Sequence, residues 1–526
     1  MLTHARLSRL LVSFLAGLLL VGAAVATPAA ARGGYRPSYE ETGCDTPLFE
    51  GRIPDGLDAE CGLLTVKENR LKRFSTGNKV VMPVVIIKAT GANPKADPVL
   101  MLAGGPGGSG IDIYLNAGQG LHDHTGKMLV DRDVILMDTR GTGRATPSLF
   151  CYDPEMGIER DLAAMYRMFG ATDDVVTERA VLDQAYIDCA ADLRAAGVDL
   201  DQYDTPTVVR DIKDLRKALG IKKWNVYGRS AGAAVALELL RQQPWGLRSV
   251  VLDSPYPTYA KQDPATQARN YREAFDAIIE LLELDQDLVE ASLAAIRDKY
   301  DEKPFATEDP YFGLPIEYTG SDAVWMLSQL MYLPDLVPLL EELIANLEYY
   351  DTGEPEYVSV MEYLGYETVF DFTRHVFFPL WNDWSDGARI VVECADRTQY
   401  LETADYAAVV EAEPIYGLSL FDRPTLPNVC EQIDVDPVPL RTYIIRRTLV
   451  PSLVLAGSLD SSTPPGDSKV VSEKLGPRSQ FVEFPRAAHV VADYSDFDPA
   501  ADCADEMIAD FVSNPRQPVD TGCICG

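Results

Sequence analysis

Histidine is scarce in this chain, with five in 526 residues: His4, His122, His124, His375 and His489. Any chemistry that needs an imidazole must be built on one of these. Positive charge is short as well: Lys and Arg total 47 against 80 Asp and Glu, a formal net charge of −33. A surface of that sign repels a phosphate backbone, which excludes nucleic acid as a partner. Zinc-ligand spacing is missing, since Cys523-Ile524-Cys525 is too closely set and has no histidine near it. The nine cysteines therefore read as disulfides with one left over, and no metal or organic cofactor is expected. After the N-terminal segment no run is long and apolar enough to span a bilayer. Internal repeats and low-complexity stretches are absent too.

What is present begins with Arg6 and Arg9, an apolar run from Leu10 to Val25, and Ala24-Val25-Ala26 as a small-residue cleavage site. Together they predict a secretory signal peptide over residues 1–26, with an uncleaved anchor as the alternative. No cysteine follows the run to take a lipid. The expectation is a secreted protein with no stable membrane insertion once the signal is removed. Disulfides fit such a protein, and Cys44/Cys61, Cys151/Cys189 and Cys394/Cys430 are expected as local pairs. Cys503 has Cys523 or Cys525 as its partner.

The stretch from Lys223 to Ala236 reads K-W-N-V-Y-G-R-S-A-G-A-A-V-A. A short apolar strand (Trp224–Tyr227) runs into Gly228-Arg229-Ser230-Ala231-Gly232, and helix formers follow from Ala233. Strand, G-x-S-x-G and helix make the nucleophile elbow of an α/β-hydrolase. The turn strains the serine backbone, and glycine on either side removes Cβ atoms that would clash. The serine oxygen then projects above the sheet, where the helix N-terminus offers the Ala231 N–H to an oxyanion.

A second glycine-rich turn, Gly104-Gly-Pro-Gly-Gly-Ser-Gly110, follows the apolar strand Pro98–Ala103. Gly105 to Gly110 matches G-x-G-x-x-G literally, but Pro106 lacks an N–H that a phosphate would use. No strand-end acid follows at the spacing a dinucleotide needs, and no Lys-Ser/Thr follows the glycines as a P-loop requires. In a hydrolase this loop donates the second oxyanion N–H. Gly105 is the expected donor, with Gly107 as the alternative. Asp138 and Arg140, at the end of the strand Asp131–Asp138, read as loop-pinning residues.

Further strands are expected at Leu247–Asp253, Pro451–Gly457 and Ser479–Phe484, and helices at Thr205–Leu219 and Asp502–Ser513. From about Tyr259 to Arg441 the pattern is mainly amphipathic helix. The expected architecture is thus α/β, a mostly parallel doubly wound sheet with an inserted helical cap. Residues 27–258 and 442–526 form the core, and residues 259–441 form the cap.

The hydrolase order of serine, acid and histidine excludes His122 and His124 as the base. His375 sits among aromatics in the cap, where a structural role is expected. His489, in a loop after the last strand, is the candidate base. Asp460, just past the strand Pro451–Gly457, is the candidate acid, with Asp253 as the alternative.

These residues resemble the proline iminopeptidase-like branch of α/β-hydrolases, and the tripeptidyl aminopeptidases most closely. The resemblance rests on Gly104–Gly110, Asp138–Gly143, Asp211–Gly232, Gly457–Pro464 and Ala488-His489, and covers nearly the whole mature chain. Two positions depart from it. Ala103 stands where single-residue iminopeptidases usually carry His, and Ala231 where the family often has a bulky aromatic. The resemblance implies cleavage near the free N-terminus of a peptide, with cap carboxylates holding the ammonium group. Glu393 and Asp396 are the candidates by motif position, in Glu393-Cys394-Ala395-Asp396. A secreted carboxylesterase or lipase is the second enzymatic reading. A hydrolase-fold binding protein without catalysis is the third.

Overall fold

Strands that are buried along their whole length become the middle of a nine-stranded sheet in the computed structural model. The nine strands are β1 (Ser38–Thr42), β2 (Ala59–Lys67), β3 (Lys79–Ile87), β4 (Val99–Leu102), β5 (Val134–Met137), β6 (Trp224–Arg229), β7 (Leu247–Asp253), β8 (Ser452–Gly457) and β9 (Ser479–Phe484). Every residue of β4, β5, β6 and β8 is buried, as a sheet covered on both faces requires. The spatial order is β1-β2-β3-β5-β4-β6-β7-β8-β9. β1, β2 and β3 are antiparallel, β3 pairs β5 antiparallel, and the pairs from β5 onward are parallel. The structure describes residues 37–70, 77–115, 123–153, 157–159, 163, 175–257, 263–308, 315–329, 334–349, 384–397, 406–420, 426–492 and 499–525. The predicted signal segment, His122, His375 and its aromatic neighbours Phe377 and Phe378 lie outside them.

Register sets where the chemistry falls. Leu102 pairs with Gly228, Arg229 with Asp253, and Gly457 with Phe484. The carboxyl ends of β4, β6, β7, β8 and β9 are therefore nearly flush, and the loops that leave them share one edge. Ligand crevices of open α/β sheets form at that edge. Helices Thr205–Ala218 and Ala231–Gln242 pack on each other, and the latter lies against β6. Asp204 caps the first of these by accepting from the Thr207 N–H at 2.6 Å.

Between β7 and β8 the described residues are largely helical, with Pro264–Leu281, Gln286–Glu302, Gly320–Gln329, Leu340–Tyr349 and Asp386–Arg397. Asp263 and Asp285 cap the first two through the Thr266 and Leu288 N–H groups, each at 3.0 Å. This segment also contains a hairpin, Phe305–Glu308 with Pro315–Tyr318, which the helical reading passed over. Its reason is local: Ile316 and Tyr318 are buried while Pro315 and Glu317 are exposed, a period of two. β1 was likewise passed over, because a polar edge strand has no apolar alternation to announce it.

Among the described residues two hydrophobic clusters fill the interior. One lies against the sheet and takes in the last helix, Pro499–Ser513. The other fills the helical segment and reaches Leu459 and Ala488, the neighbours of Asp460 and His489. Four disulfides join Cys44 to Cys61, Cys151 to Cys189, Cys394 to Cys430 and Cys503 to Cys523. Residues from Pro37 onward form one compact unit. No described helix is long and apolar enough to cross a membrane.

Candidate active site

Ser230 leaves β6 with φ 50° and ψ −120°, in backbone that a residue with a Cβ rarely adopts. The flanking glycines make that turn possible. A Cβ on Gly228 would lie 2.6 Å from the Gly232 carbonyl oxygen, and one on Gly232 would run into the carbonyl oxygens of Leu102 and Ala103. Gly232→Ala is therefore expected to destabilise the fold by at least about 2 kcal/mol, read from urea denaturation. A variant of unchanged midpoint would show that this close approach is unimportant.

The structure brings the three sequence-nominated residues together. His489 Nε2 lies 3.0 Å from Ser230 Oγ, and His489 Nδ1 lies 3.0 Å and 3.1 Å from the two Asp460 carboxylate oxygens. Asp460 is buried and accepts from the Ser462 and Thr463 N–H groups at 2.9 Å and 2.8 Å. The Thr463 hydroxyl lies 2.6 Å from the same carboxylate and 3.3 Å from His489 Nδ1. These donors fix the carboxylate beside the ring, so the imidazole Nδ1–H has one place to point.

Asp253, the alternative acid, is engaged elsewhere. Its buried carboxylate accepts from the Val491 and Ala492 N–H groups at 2.9 Å and 3.1 Å and from the Tyr227 hydroxyl at 2.9 Å. Ser254 Oγ accepts from the Val490 N–H at 2.9 Å. Both residues thus hold the backbone just after His489, where Val490 has φ 65°. Sequence reasoning missed that role for Asp253 and missed Thr463 altogether. Position i+3 after Asp460, where a Thr hydroxyl can turn back to an aspartate, was the available signal.

The glycine loop lies against the serine. A Cβ on Gly104 would stand 3.2 Å from Ser230 Cβ and 3.7 Å from its Oγ, and the next N–H along the chain belongs to Gly105. The Ala231 N–H opens the elbow helix, where the first donors have no intrahelical partner. The loop is gripped from above. Ser385 donates its N–H to the Gly107 carbonyl at 2.9 Å, and the Trp384 ring takes the space a Gly105 side chain would need, 2.7 Å from its Cβ position.

From Ser385 the chain enters helix Asp386–Arg397, whose Glu393 and Asp396 line one cavity with Gly104, Gly107 and Ala231. Glu393 pairs with Arg397 at 2.8 Å. Arg397 in turn stacks on Tyr256 and donates to the Pro257 carbonyl at 3.2 Å. Asp396 is fully buried, and burial pushes its carboxyl up to about 7, only partly offset by a hydrogen bond from Thr205.

Asp138 and Arg140 lie in the network that holds these loops. Arg140 forms a two-pronged pair with Asp211 at 2.6 Å and 2.9 Å and donates to the Gln202 carbonyl. Asp138 accepts from Ser109 Oγ, the Ile111 and Arg144 N–H groups, and Arg52.

The family model described as alpha/beta hydrolase fold matches residues 97–329. The chain is 28% identical to a tripeptidyl aminopeptidase of Streptomyces coelicolor over 236 residues, 44% of this chain and 40% of that protein. The match therefore spans less than half of that relative's length. It is 22% identical to the serine protease Hip1 of Mycobacterium tuberculosis over 503 residues, covering 91% of this chain and 89% of the relative. Among solved structures, proline iminopeptidase of Mycobacterium smegmatis aligns with a TM-score of 0.38 and 17% identity, over 83% of this chain and 96% of that one. The chain has the α/β-hydrolase fold and is similar in sequence to a tripeptidyl aminopeptidase and to a serine protease.

Proposed function

We propose that the protein is an exported serine aminopeptidase that releases short peptides or residues from the free N-terminus of peptide substrates. The single observation that supports this most is the continuous chain from Ser230 Oγ through His489 to Asp460, at 3.0 Å on each side of the ring. In this reading Ser230 Oγ attacks the scissile carbonyl carbon and passes its proton to His489 Nε2. Asp460 stabilises the resulting imidazolium through Nδ1–H. The carbonyl oxygen becomes an oxyanion beside the Gly105 and Ala231 N–H groups. Collapse of the intermediate breaks the C–N bond, and His489 returns the proton to the leaving amine. Water then attacks the acyl-serine, giving its proton to His489; the C–O bond breaks, the acid leaves, and His489 returns the proton to Ser230 Oγ. Four disulfides suit an oxidising compartment, which supports export.

The cap carboxylates supply the preference for a free amine. Arg397 pairs with Glu393, and Asp396, whose burial is only partly offset by Thr205 and Arg397, is the group whose charge a substrate ammonium would draw out. Its raised pKa has a testable consequence. Below about 7 the empty site holds a neutral acid, so KM for a free-amine substrate should fall as pH rises through about 7. It should rise again where a peptide amine loses its proton, near about 8. Asp396→Asn should flatten the acid limb. Because the folded pKa is raised, stability is lost as pH rises through it, so the same variant should gain stability at alkaline pH relative to acid. KM independent of pH in both proteins would remove Asp396 from substrate binding.

The test of the function is a comparison of tripeptide and single-residue amides with free amines against the same compounds N-acetylated. Cleavage confined to free amines is expected, and the favoured length reports how many residues are released. Equal cleavage after acetylation would exclude an aminopeptidase. Hydrolysis of acyl esters without peptides would assign an esterase.

A further inference from the structure

At the end of the sheet opposite Ser230, a groove is lined by Lys223, Arg248, Arg447 and Arg516 and by no carboxylate among the described residues. In a chain of net charge −33 such a place is an exception. It continues a stretch from Pro437 to Leu459 that contains Arg441, Arg446 and Arg447 and no Asp or Glu. Arg248 is held by Asp97 at 3.2 Å, whereas Lys223, Arg446, Arg447 and Arg516 are solvent-exposed.

Apolar side chains stand among these cations. Seven large hydrophobic residues are exposed in the described part of the molecule, and four of them belong here: Leu449 (74%), Trp245 (67%), Ile444 (58%) and Leu440 (50%). Leu449 lines the groove itself, Trp245 follows Pro244 of its rim, and the Leu440–Tyr443 turn packs on the helix that leads to Trp245. Their clustering is not what scattered exposure produces.

We propose that this face docks peripherally on an anionic lipid surface. The cations meet the headgroups, and Leu449, Trp245 and Ile444 enter the interfacial region. Interleaved basic and apolar side chains are what such a surface selects, and tryptophan favours that depth. The acidic remainder of the molecule does not prevent approach, because charges more than about 8 Å from the bilayer are screened at physiological salt. The placement also suits access. Lys223 and Pro451 precede β6 and β8, and Ser230 and Asp460 follow the same strands, so a docked molecule presents its serine edge to solvent.

The test is sedimentation of the purified chain with vesicles of phosphatidylcholine, alone or mixed with phosphatidylglycerol. Any contribution of the N-terminal apolar segment is common to every variant. Binding is expected to the anionic vesicles only, and to weaken at least tenfold in 0.5 M NaCl. Each cation near the surface contributes about fivefold. The triple variant Arg446→Glu, Arg447→Glu, Arg516→Glu should therefore bind at least about 100-fold more weakly. Leu449→Ser with Trp245→Ser should weaken binding without changing its salt dependence. All the changed side chains are exposed, and circular dichroism would verify that each variant folds. Equal binding to both vesicle types, or no effect of the charge reversals, would overturn the proposal. Capture by soluble polyglutamate without vesicle binding would also overturn it and assign the face to an acidic polymer.

Discussion

Ser230→Ala should lower kcat by about a million-fold and abolish labelling by a fluorophosphonate, with the fold and substrate affinity retained. The fold should survive because the strain at Ser230 lies in the backbone, at φ 50°, and alanine meets the same cost there as serine. What disappears is the oxygen 3.0 Å from His489 Nε2. His489→Ala should cost nearly as much, since an unactivated serine at neutral pH is a poor nucleophile. The double variant should be no worse than either single one, because the two residues act as one unit. Asp460→Asn should cost less, about 10⁴-fold, by disfavouring the required tautomer. The measurement is single-turnover hydrolysis of a free-amine peptide amide beside the labelling assay. An alanine variant that still hydrolyses the substrate would place the chemistry on another residue, and the proposed function would fall with it.

How much of this was legible in the sequence depends on the range of the interactions. Uninterrupted apolar runs such as Val99–Leu102 and Ser452–Gly457 can lie only inside a covered sheet, so the α/β-hydrolase architecture was readable from them. The elbow was readable because its constraints are local, a glycine on either side of Ser230. Asp460 and His489 were nominated by chain order and by their places just after strands, and the 3.0 Å contact between them is a product of sheet register. Register also sets which of the two candidate carboxylates, Asp460 or Asp253, faces His489. Both follow or end strands in that edge, and only the folded chain shows Asp253 turned to the Val491 and Ala492 N–H groups. Contacts from distant segments were invisible. Trp384 over Gly105 spans 279 positions of sequence, and nothing in either stretch names the other. The hairpin at Phe305–Tyr318 was hidden for another reason. Its strands of four residues are too short for alternation to stand out against the helices around them.

Arg52→Met should destabilise the protein by about 3–5 kcal/mol near pH 8, the cost of leaving a buried charge without its partner. Arg52 is buried and its guanidinium joins three residues of the glycine-loop region. Nε lies 2.5 Å from one oxygen of Asp112, and Nη2 lies 2.8 Å from the other, 2.8 Å from Asp138 and 2.9 Å from Ser109 Oγ. Methionine matches the stem and removes every one of those donors. Asp138 then loses its counter-charge: it is fully buried, and burial already pushes its pKa up against the pull of Arg52. Without Arg52 its pKa must rise further. A carboxyl whose folded pKa is raised favours the folded state below its unfolded value and loses that advantage as pH rises. The deficit of the variant should therefore shrink as pH falls from about 8 towards about 4, the unfolded aspartate value. Arg52→Lys should recover part of the stability, since it keeps the charge but not the fork that reaches Asp112 and Asp138 together. Urea denaturation of the three proteins across that pH range tests this. A pH-independent deficit in Arg52→Met would mean that lost packing, and not the unpaired Asp138 carboxylate, is what the substitution costs.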